Sequence, residues 1–191
     1  MADTAHRRWT LEEYLAWEAD QPTRNEFIDG RPRAMVGGTN AHNRISGNVF
    51  SFLHGRLAGG RCIPYTMNTK VMIPNGNVRY PDVLVDCGPF RANDIAAVEP
   101  SVVIEIYSKS TTKIDRTEKL DAYRLVPTIR HILHLHQDEA KGVLWSREES
   151  GWKETALEGP RAKAHFAAIE VRMPFSAAYA GMPLGGESGD A

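Results

Sequence analysis

The sequence of 191 residues has only two cysteines and no long uninterrupted apolar run. Cys62 and Cys87 stand in apolar contexts without a partner at a metal-binding spacing, so we expect neither a zinc site nor a disulfide. We interpret both as small core residues. No segment reaches the roughly 18 apolar residues of a membrane span, and the N-terminal segment lacks the apolar stretch of a signal peptide. These absences predict a cytoplasmic protein without a membrane anchor.

Acidic residues are missing between Asp29 and Asp82, although the whole chain has a formal net charge of −1. Basic residues occur throughout this stretch: Arg31, Arg33, Arg44, Arg56, Arg61, Lys70 and Arg79, with His42 and His54. The stretch is either a solvated face whose charge is balanced elsewhere in the fold, or a surface that faces phosphate groups. Binding to phosphate would weaken steeply with salt.

Helical and extended patterns alternate along the chain, which predicts an α/β fold. The composition, with 42% apolar and 25% charged residues, is typical of one globular domain over residues 1–182, followed by a disordered tail over 183–191. Helices are predicted at 10–20, 40–57 and 111–125. Extended runs are predicted at 24–38, 62–74, 79–87, 100–108, 130–137, 142–148 and 151–157, with hairpin turns at Asp29-Gly30 and Asn75-Gly76.

Two of these extended runs carry a carboxylate among apolar residues. Asp82 stands at the entrance of "VLVDC", and Glu105 lies within "SVVIEIYS". A buried carboxylate must be paired, protonated or bound to a cation, and two converging carboxylates suit Mg²⁺ or Mn²⁺. Alternatively, each acid pairs with an arginine or caps a loop. Asp86 lies about 13 Å beyond Asp82 along an extended chain, too far for a shared ion.

A lysine in the following helix could complete such a site. In "DRTEKLDAY", Asp115 and Lys119 are four residues apart and share a helix face with Tyr123. The Lys119 stem can lie along the sheet while its ammonium group reaches past the strand ends, where it would hold a water or stabilise developing negative charge. The alternative is a surface Asp–Lys pair that contributes a few tenths of a kcal/mol.

The motifs "RNEFIDGRP", "AHNRIS", "RYPDVLV", "VVIEIYSKST" and "DRTEKLDAY", in this order and spacing, resemble the large bacterial Uma-type endonuclease family. That family was long classified as a domain of unknown function and belongs to the PD-(D/E)XK restriction-endonuclease-like superfamily. The resemblance covers roughly residues 10–175. It implies a restriction-endonuclease-like core, with a mixed central β-sheet flanked by helices.

The resemblance also implies roles for single residues. Asp82 corresponds to the acid of the "PD" element, and Glu105 to the acid of the second strand. The superfamily pattern has a lysine two residues after that acid, where this chain has Tyr107; the family supplies the lysine from the next helix, at Lys119. Glu26 matches a further acid that can face the same site. The family commonly has Ser-Pro where this chain has Ser108-Lys109, so Lys109 is a second candidate for the catalytic lysine.

The implied activity is hydrolysis of DNA phosphodiester bonds by a metal-dependent endonuclease. Asp82 and Glu105 would hold Mg²⁺ or Mn²⁺, while Arg79, His42 and Lys109 are candidate phosphate contacts. Arg79 could instead neutralise Asp82, and His42 could be a structural or capping residue. By analogy with such nucleases, we expect a homodimer. Two alternatives share the site: a nucleic-acid-binding accessory module with weak or no turnover, and a phosphoesterase acting on small substrates.

Overall fold

The computed structural model describes residues 7–35, 37–108 and 113–183, with the backbone alone at 113–115. The helices are α1 (Leu11–Glu18), α2 (Asn40–Leu57), α3 (Lys113–Arg124) and α4 (Phe175–Ala178), and a 3₁₀ turn spans Ala167–Ile169. The strands are β1 (Asn25–Ile28), β2 (Arg31–Ala34), β3 (Ile63–Thr66), β4 (Val71–Met72), β5 (Val78–Arg79), β6 (Val83–Asp86), β7 (Pro100–Tyr107), β8 (His131–His136), β9 (Lys141–Glu148), β10 (Gly151–Glu158), β11 (Lys163–Phe166) and β12 (Val171–Pro174).

A six-stranded mixed sheet forms the centre, in the order β10-β9-β8-β7-β6-β3. Strands β7 and β8 are parallel, as expected for two strands joined through a helix, and the other neighbours are antiparallel. β7 lies inside the sheet and is buried along its whole length, as its continuous apolar run predicts. The mixed sheet with flanking helices confirms the predicted fold class.

Each face of the central sheet is covered by a different helix. On one face, α2 packs Ile45, Val49 and Leu53 against a cluster that includes the C-terminal elements. On the other face, α3 contributes Leu120 and Tyr123 to a second cluster. The N-cap Thr39 starts α2, and its side chain accepts a hydrogen bond from the His42 backbone N–H. Leu84 of β6 and Val103 of β7 belong to this second cluster. Side chains on the same face of these two strands therefore point toward α3.

A smaller four-stranded sheet, in the order β2-β1-β5-β4, adjoins the central sheet. Its two hairpins confirm both predicted turns. Asp29 and Gly30 have φ values of 50° and 79°, the left-handed pair that a tight two-residue hairpin requires, and Gly76 has a φ of 87°. The predicted strand at 62–74 is in fact two strands, because the chain turns at 67–69 and leaves the central sheet for the smaller one.

The cysteine prediction was wrong: Cys62 and Cys87 form a disulfide. β3 runs antiparallel to β6 with Ile63 opposite Asp86, so the next position outward brings the two cysteines side by side. Sequence spacing alone cannot show this, because the pairing depends on which strands become neighbours. The sequence analysis also missed the β11–β12 hairpin and α4, which pack on the α2 face.

None of the helices within the described ranges is long and apolar enough to cross a membrane. The first two residues of the helix predicted at 111–125 lie outside the described residues, as does the part of the tail from residue 184 onward.

Candidate active site

Asp82 and Glu105 converge on the α3 side of the central sheet, as the strand patterns predict. β6 and β7 pair with Val83 opposite Ile104, and the same register carried one residue further places Asp82 beside Glu105. Asp82 Oδ2 accepts a hydrogen bond of 2.7 Å from the Ile106 backbone N–H, which fixes the carboxylate against β7. Both acids line a cleft of about 500 Å³ together with Glu26, His42, Tyr107 and Lys119.

The helix α3 brings two side chains from successive turns to Glu105. Lys119 Nζ donates to Glu105 Oε2 at 3.0 Å, and the Tyr123 hydroxyl donates to Glu105 Oε1 at 2.6 Å. Residues four apart on a helix share one face, so Lys119 and Tyr123 can both reach Glu105 from the same helix. Lys119 Nζ also lies 3.7 Å from Glu26 Oε1 and so stands between two carboxylates. This arrangement agrees with the helix lysine that the family resemblance implies.

Glu26 enters the cleft from the smaller sheet, where Arg79 holds it. β1 and β5 pair with Phe27 opposite Val78, which sets Glu26 and Arg79 next to each other. Arg79 Nη1 donates to Glu26 Oε2 at 2.8 Å, and the Tyr80 backbone N–H donates to the other oxygen at 3.4 Å. Arg79 is buried and pairs with Glu26. The sequence predicted either a phosphate contact or a partner for Asp82, and the structure gives Arg79 a different acid. Its Nε has no hydrogen-bond partner among the described residues.

His42 contacts Asp82 across the cleft. The first turn of α2 directs the ring into the cleft, where Nε2 lies 3.1 Å from Asp82 Oδ2. This hydrogen bond is the main reason that the pKa of His42 is raised above its ordinary value, although burial acts against it. The sequence analysis placed His42 near phosphate; the contact with Asp82 is long-range and leaves no local sequence signal.

The cleft concentrates negative charge in a desolvated place. It holds three carboxylates and two permanent cations: Glu26, Asp82, Glu105, Arg79 and Lys119. Burial, which outweighs the attraction of Lys119, raises the pKa of the Glu105 carboxyl to about 7. Burial alone would lower the pKa of Lys119, but the surrounding carboxylates together raise it above its ordinary value. Lys119 is therefore protonated at neutral pH.

These residues fit a hard divalent cation in donor chemistry and in charge. Carboxylate oxygens are the ligands that Mg²⁺ and Mn²⁺ prefer, and one added cation would favour the ionised form of Glu105. Across the described part of the chain, no group of three His, Cys, Asp or Glu side chains is already arranged to hold a metal. His42 and Lys119 occupy the carboxylate oxygens instead, so a bound cation would replace at least one of these contacts.

The remaining predicted site residues are accounted for as follows. Lys109 lies outside the described residues, and so does the Asp115 side chain, so neither role is tested. Asp86 accepts hydrogen bonds from the backbone N–H groups of Gly88, Val98 and Glu99, which makes it a loop cap and agrees with its exclusion from the metal site. Tyr123 was predicted only to share a helix face with Lys119; the i,i+4 spacing between them was the signal that its hydroxyl also reaches Glu105.

The chain is similar to several known proteins. Residues 11–173 match the family model Uma2, described as "Putative restriction endonuclease". Two relatives come from Synechocystis sp.. "Uncharacterized protein slr1290" is 32% identical over 142 residues, covering 73% of this chain and 75% of its own. "Uncharacterized protein sll1609" is 25% identical over 167 residues, covering 85% and 94%.

A solved structure shares the fold. It is described as a "putative nuclease belonging to DUF820" from Anabaena variabilis, and it superimposes with a TM-score of 0.72 at 16% identity. The superposition covers 88% of this chain and 96% of that one. This likeness confirms that the central sheet and its helices form the nuclease-type core expected from the motifs.

Proposed function

Because the chain belongs to the Uma2 family of restriction-endonuclease-like proteins, we propose that it is a metal-dependent DNA endonuclease that hydrolyses phosphodiester bonds at the Asp82–Glu105 cleft. The observation that supports this most is the convergence of Asp82, Glu105 and Lys119 in one cleft. These three residues come from the entrance of β6, the interior of β7 and the helix α3. The sequence pattern assigned all three to one site although they lie in separate elements.

Each of the site residues has a part in the proposed reaction. Asp82 and Glu105 would hold Mg²⁺ or Mn²⁺, with Glu26 as a further carboxylate at the same cleft. A divalent cation held there would supply Lewis-acid chemistry at the scissile phosphate and make the attacking water more acidic. Lys119 is held protonated by its carboxylate neighbours, so it acts as a hydrogen-bond donor that positions the attacking water and stabilises charge on the phosphate.

Two residues position these groups. Arg79 fixes Glu26 through the 2.8 Å ion pair and, because it is buried, acts on the substrate through Glu26. His42 fixes Asp82 at 3.1 Å and stands at the cleft surface, where it can contact a phosphate once a cation occupies Asp82. Lys109 remains the proposed second phosphate contact. A homodimer would supply two clefts for the two strands of a duplex.

The proposal is tested by incubating supercoiled plasmid with the protein in Mg²⁺, in Mn²⁺ and in EDTA. Asp82→Ala is purified alongside, and Asp121→Asn serves as the matched control. Asp121 lies on α3 in a solvent-exposed pair with Arg124, away from the cleft. We expect cutting that requires metal, disappears in Asp82→Ala and persists in Asp121→Asn.

Two results would contradict the proposal. If the folded protein binds DNA but cuts it in neither metal, the chain is an accessory module on the nuclease fold. If it binds no DNA but hydrolyses a small phosphodiester such as bis-p-nitrophenyl phosphate in a metal-dependent way, the substrate is small.

A further inference from the structure

A second cavity, of about 550 Å³, lies at the far end of the central sheet from the catalytic cleft. Its wall is formed by β8, β9, β10 and β11. A row of neighbouring residues crosses three of these strands on one face: His131 is paired with Ser146, and Ser146 with Lys153. The volume lies in the range of about 300–1,000 Å³ that small-molecule sites occupy. We call this cavity the basic pocket.

The basic pocket is strongly positive, although the whole chain has a formal net charge of −1. Four cations and one carboxylate line it: Arg130, Arg147, Lys153, Lys163 and Glu148. Glu148 lies 3.4 Å from Lys153, so that pair is neutral overall. Within the described ranges, neither Arg130 nor Lys163 has an ion-pair partner, and both are exposed. Arg130 and Lys163 are therefore accessible to an anion from solution.

The other polar groups of the pocket are fixed by contacts inside the protein. The Arg147 guanidinium donates to the carbonyl oxygens of Ile129, Arg124 and Val126, which anchors it at the end of α3. His131 lies 3.0 Å from Ser146 Oγ, and its Nε2 accepts a hydrogen bond from the Ala168 backbone N–H. His131 and Ser146 are thus held in place by contacts inside the protein, whereas Arg130 and Lys163 are exposed.

Apart from the Glu148–Lys153 pair, the charged groups that line the pocket are all positive. Burial and, after it, the positive charges of His165 and Arg130 lower the pKa of His131 to about 4. The same two kinds of effect, burial and the charge of Arg130, lower the pKa of Arg147. An anion placed between these groups would relieve the repulsion, and guanidinium, ammonium and hydroxyl donors together suit the oxygens of a phosphate.

The basic pocket is separate from the catalytic cleft in two respects. Ser146 lies two residues after Leu144 on β9, so the two side chains share one face of the sheet. Leu144 packs in the cluster on the α2 face, whereas Asp82 and Glu105 face α3. Along the sheet, His131 is paired with Val102, three residues before Glu105 on β7, which is about 10 Å of strand. A ligand here would contact none of the catalytic side chains.

We propose that the basic pocket is a second phosphate-binding site, in which Arg130 and Lys163 grip the phosphate group of a ligand. The phosphate belongs either to a small phosphorylated molecule or to the backbone of a nucleic acid held on the far face of the sheet. The site binds independently of metal and of catalysis.

The test uses two probes in EDTA, so that neither the metal site nor cleavage contributes. Sodium pyrophosphate is titrated by calorimetry, and a fluorescein-labelled DNA duplex by anisotropy over a series of salt concentrations. The full chain is compared with Arg130→Gln/Lys163→Gln. The matched control is Arg8→Gln/Arg91→Gln, which removes the same charge at two exposed positions outside both cavities. A further variant, Arg130→Lys/Lys163→Arg, keeps both positive charges. Circular dichroism checks that every variant is folded.

We expect Arg130→Gln/Lys163→Gln to weaken the binding of one probe at least about tenfold, since two charge-assisted hydrogen bonds are lost. The control and the charge-preserving variant should bind like the wild type, within about threefold. An effect on pyrophosphate alone identifies a small phosphorylated ligand. A loss of duplex affinity, with a salt slope reduced by about two, identifies the nucleic-acid backbone.

The proposal is overturned if the wild type binds neither probe, or if the Gln variant and the control bind both probes alike. Because metal and cleavage are absent, either result leaves the nuclease proposal standing.

Discussion

At the scale of single residues, the cleft around Asp82 and Glu105 is a set of buried acids, each held by its own donor. His42 holds Asp82, Lys119 and Tyr123 hold Glu105, and Arg79 holds Glu26. Buried carboxylates require such partners because desolvation penalises their charge. The donors orient the acids before a cation arrives, which is the preorganisation that electrostatic catalysis needs. A bound cation would then complete the ionisation of Glu105, whose pKa burial raises to about 7.

The Tyr123 hydroxyl stabilises the fold through its contact with Glu105. In Tyr123→Phe a buried carboxylate oxygen loses its donor, so we expect a loss of about 1–3 kcal/mol in the free energy of unfolding. Urea denaturation measures this loss. Tyr65→Phe is the control, because the partly exposed Tyr65 contacts no buried acid through a hydrogen bond among the described residues. Equal stability of Tyr123→Phe and the wild type would contradict the assigned contact.

His134 makes the fold sensitive to acid. The ring is buried between Tyr107 and Trp145, and burial, with nearby cations, lowers its pKa from 6.5 to about 3. Between pH 6.5 and about pH 3, His134 is therefore protonated in the unfolded chain but neutral in the folded chain. The free energy of unfolding consequently falls as the pH falls below 6.5. From pH 6.5 to 5 this group alone should remove about 2 kcal/mol.

His134→Leu removes this titration and keeps the site apolar. Urea denaturation from pH 8 to 5 should show a shallower acid loss for the variant than for the wild type, and no difference in slope above pH 7. Identical slopes below pH 6.5 would show that His134 is not buried in its neutral form.

At the scale of helices and strands, local patterns predicted most of the fold. The apolar stripe of α2, the buried run of β7 and the Asp29-Gly30 turn each carry their signal within one segment. The β11–β12 hairpin was missed because its strands have four residues each, and short alternating runs containing alanine resemble loops. The disulfide was missed because it depends on the long-range pairing of β3 with β6.

The candidate site was predictable to the same extent. Asp82 and Glu105 are conspicuous because acids are unusual in buried strands, and Lys119 is one helix away from them. The pairs His42–Asp82 and Arg79–Glu26 were not predictable, because they join segments 40 and 53 residues apart whose packing only the tertiary structure shows.

Two glycines illustrate how the elements constrain substitution. An added Cβ at Gly47, in the exposed interior of α2, would meet nothing within 4 Å, so Gly47→Ala should stabilise the protein by about 0.5–1 kcal/mol. At Gly142, on β9, the Cβ would lie 2.6 Å from the His134 carbonyl oxygen, so Gly142→Ala should destabilise it. Thermal denaturation of both variants measures the two opposite shifts. Shifts of the same sign would contradict the backbone geometry of one of them.

At the scale of the whole molecule, the disulfide ties the edge of the central sheet to the strand that begins after Asp82. It closes a loop across a sequence separation of 25 residues, for which chain entropy gives about 3 kcal/mol of stabilisation. Reduction with dithiothreitol should therefore lower the urea midpoint of the wild type. Cys62→Ser/Cys87→Ser should start at the lower midpoint and not respond to the reductant; equal midpoints for oxidised and reduced wild type would contradict the bridge.

The molecule as a whole brings acids from a strand pair and from the smaller sheet to one cleft, together with a lysine from a helix. We infer that this cleft binds a divalent cation. Titration with Mn²⁺, followed by electron paramagnetic resonance of the free ion, tests this inference most directly. We predict Mn²⁺ binding to the wild type and to Asp121→Asn, and its loss in Asp82→Asn and in Glu105→Gln. Wild-type protein that binds no Mn²⁺, or binding that survives in both acid variants, would contradict it.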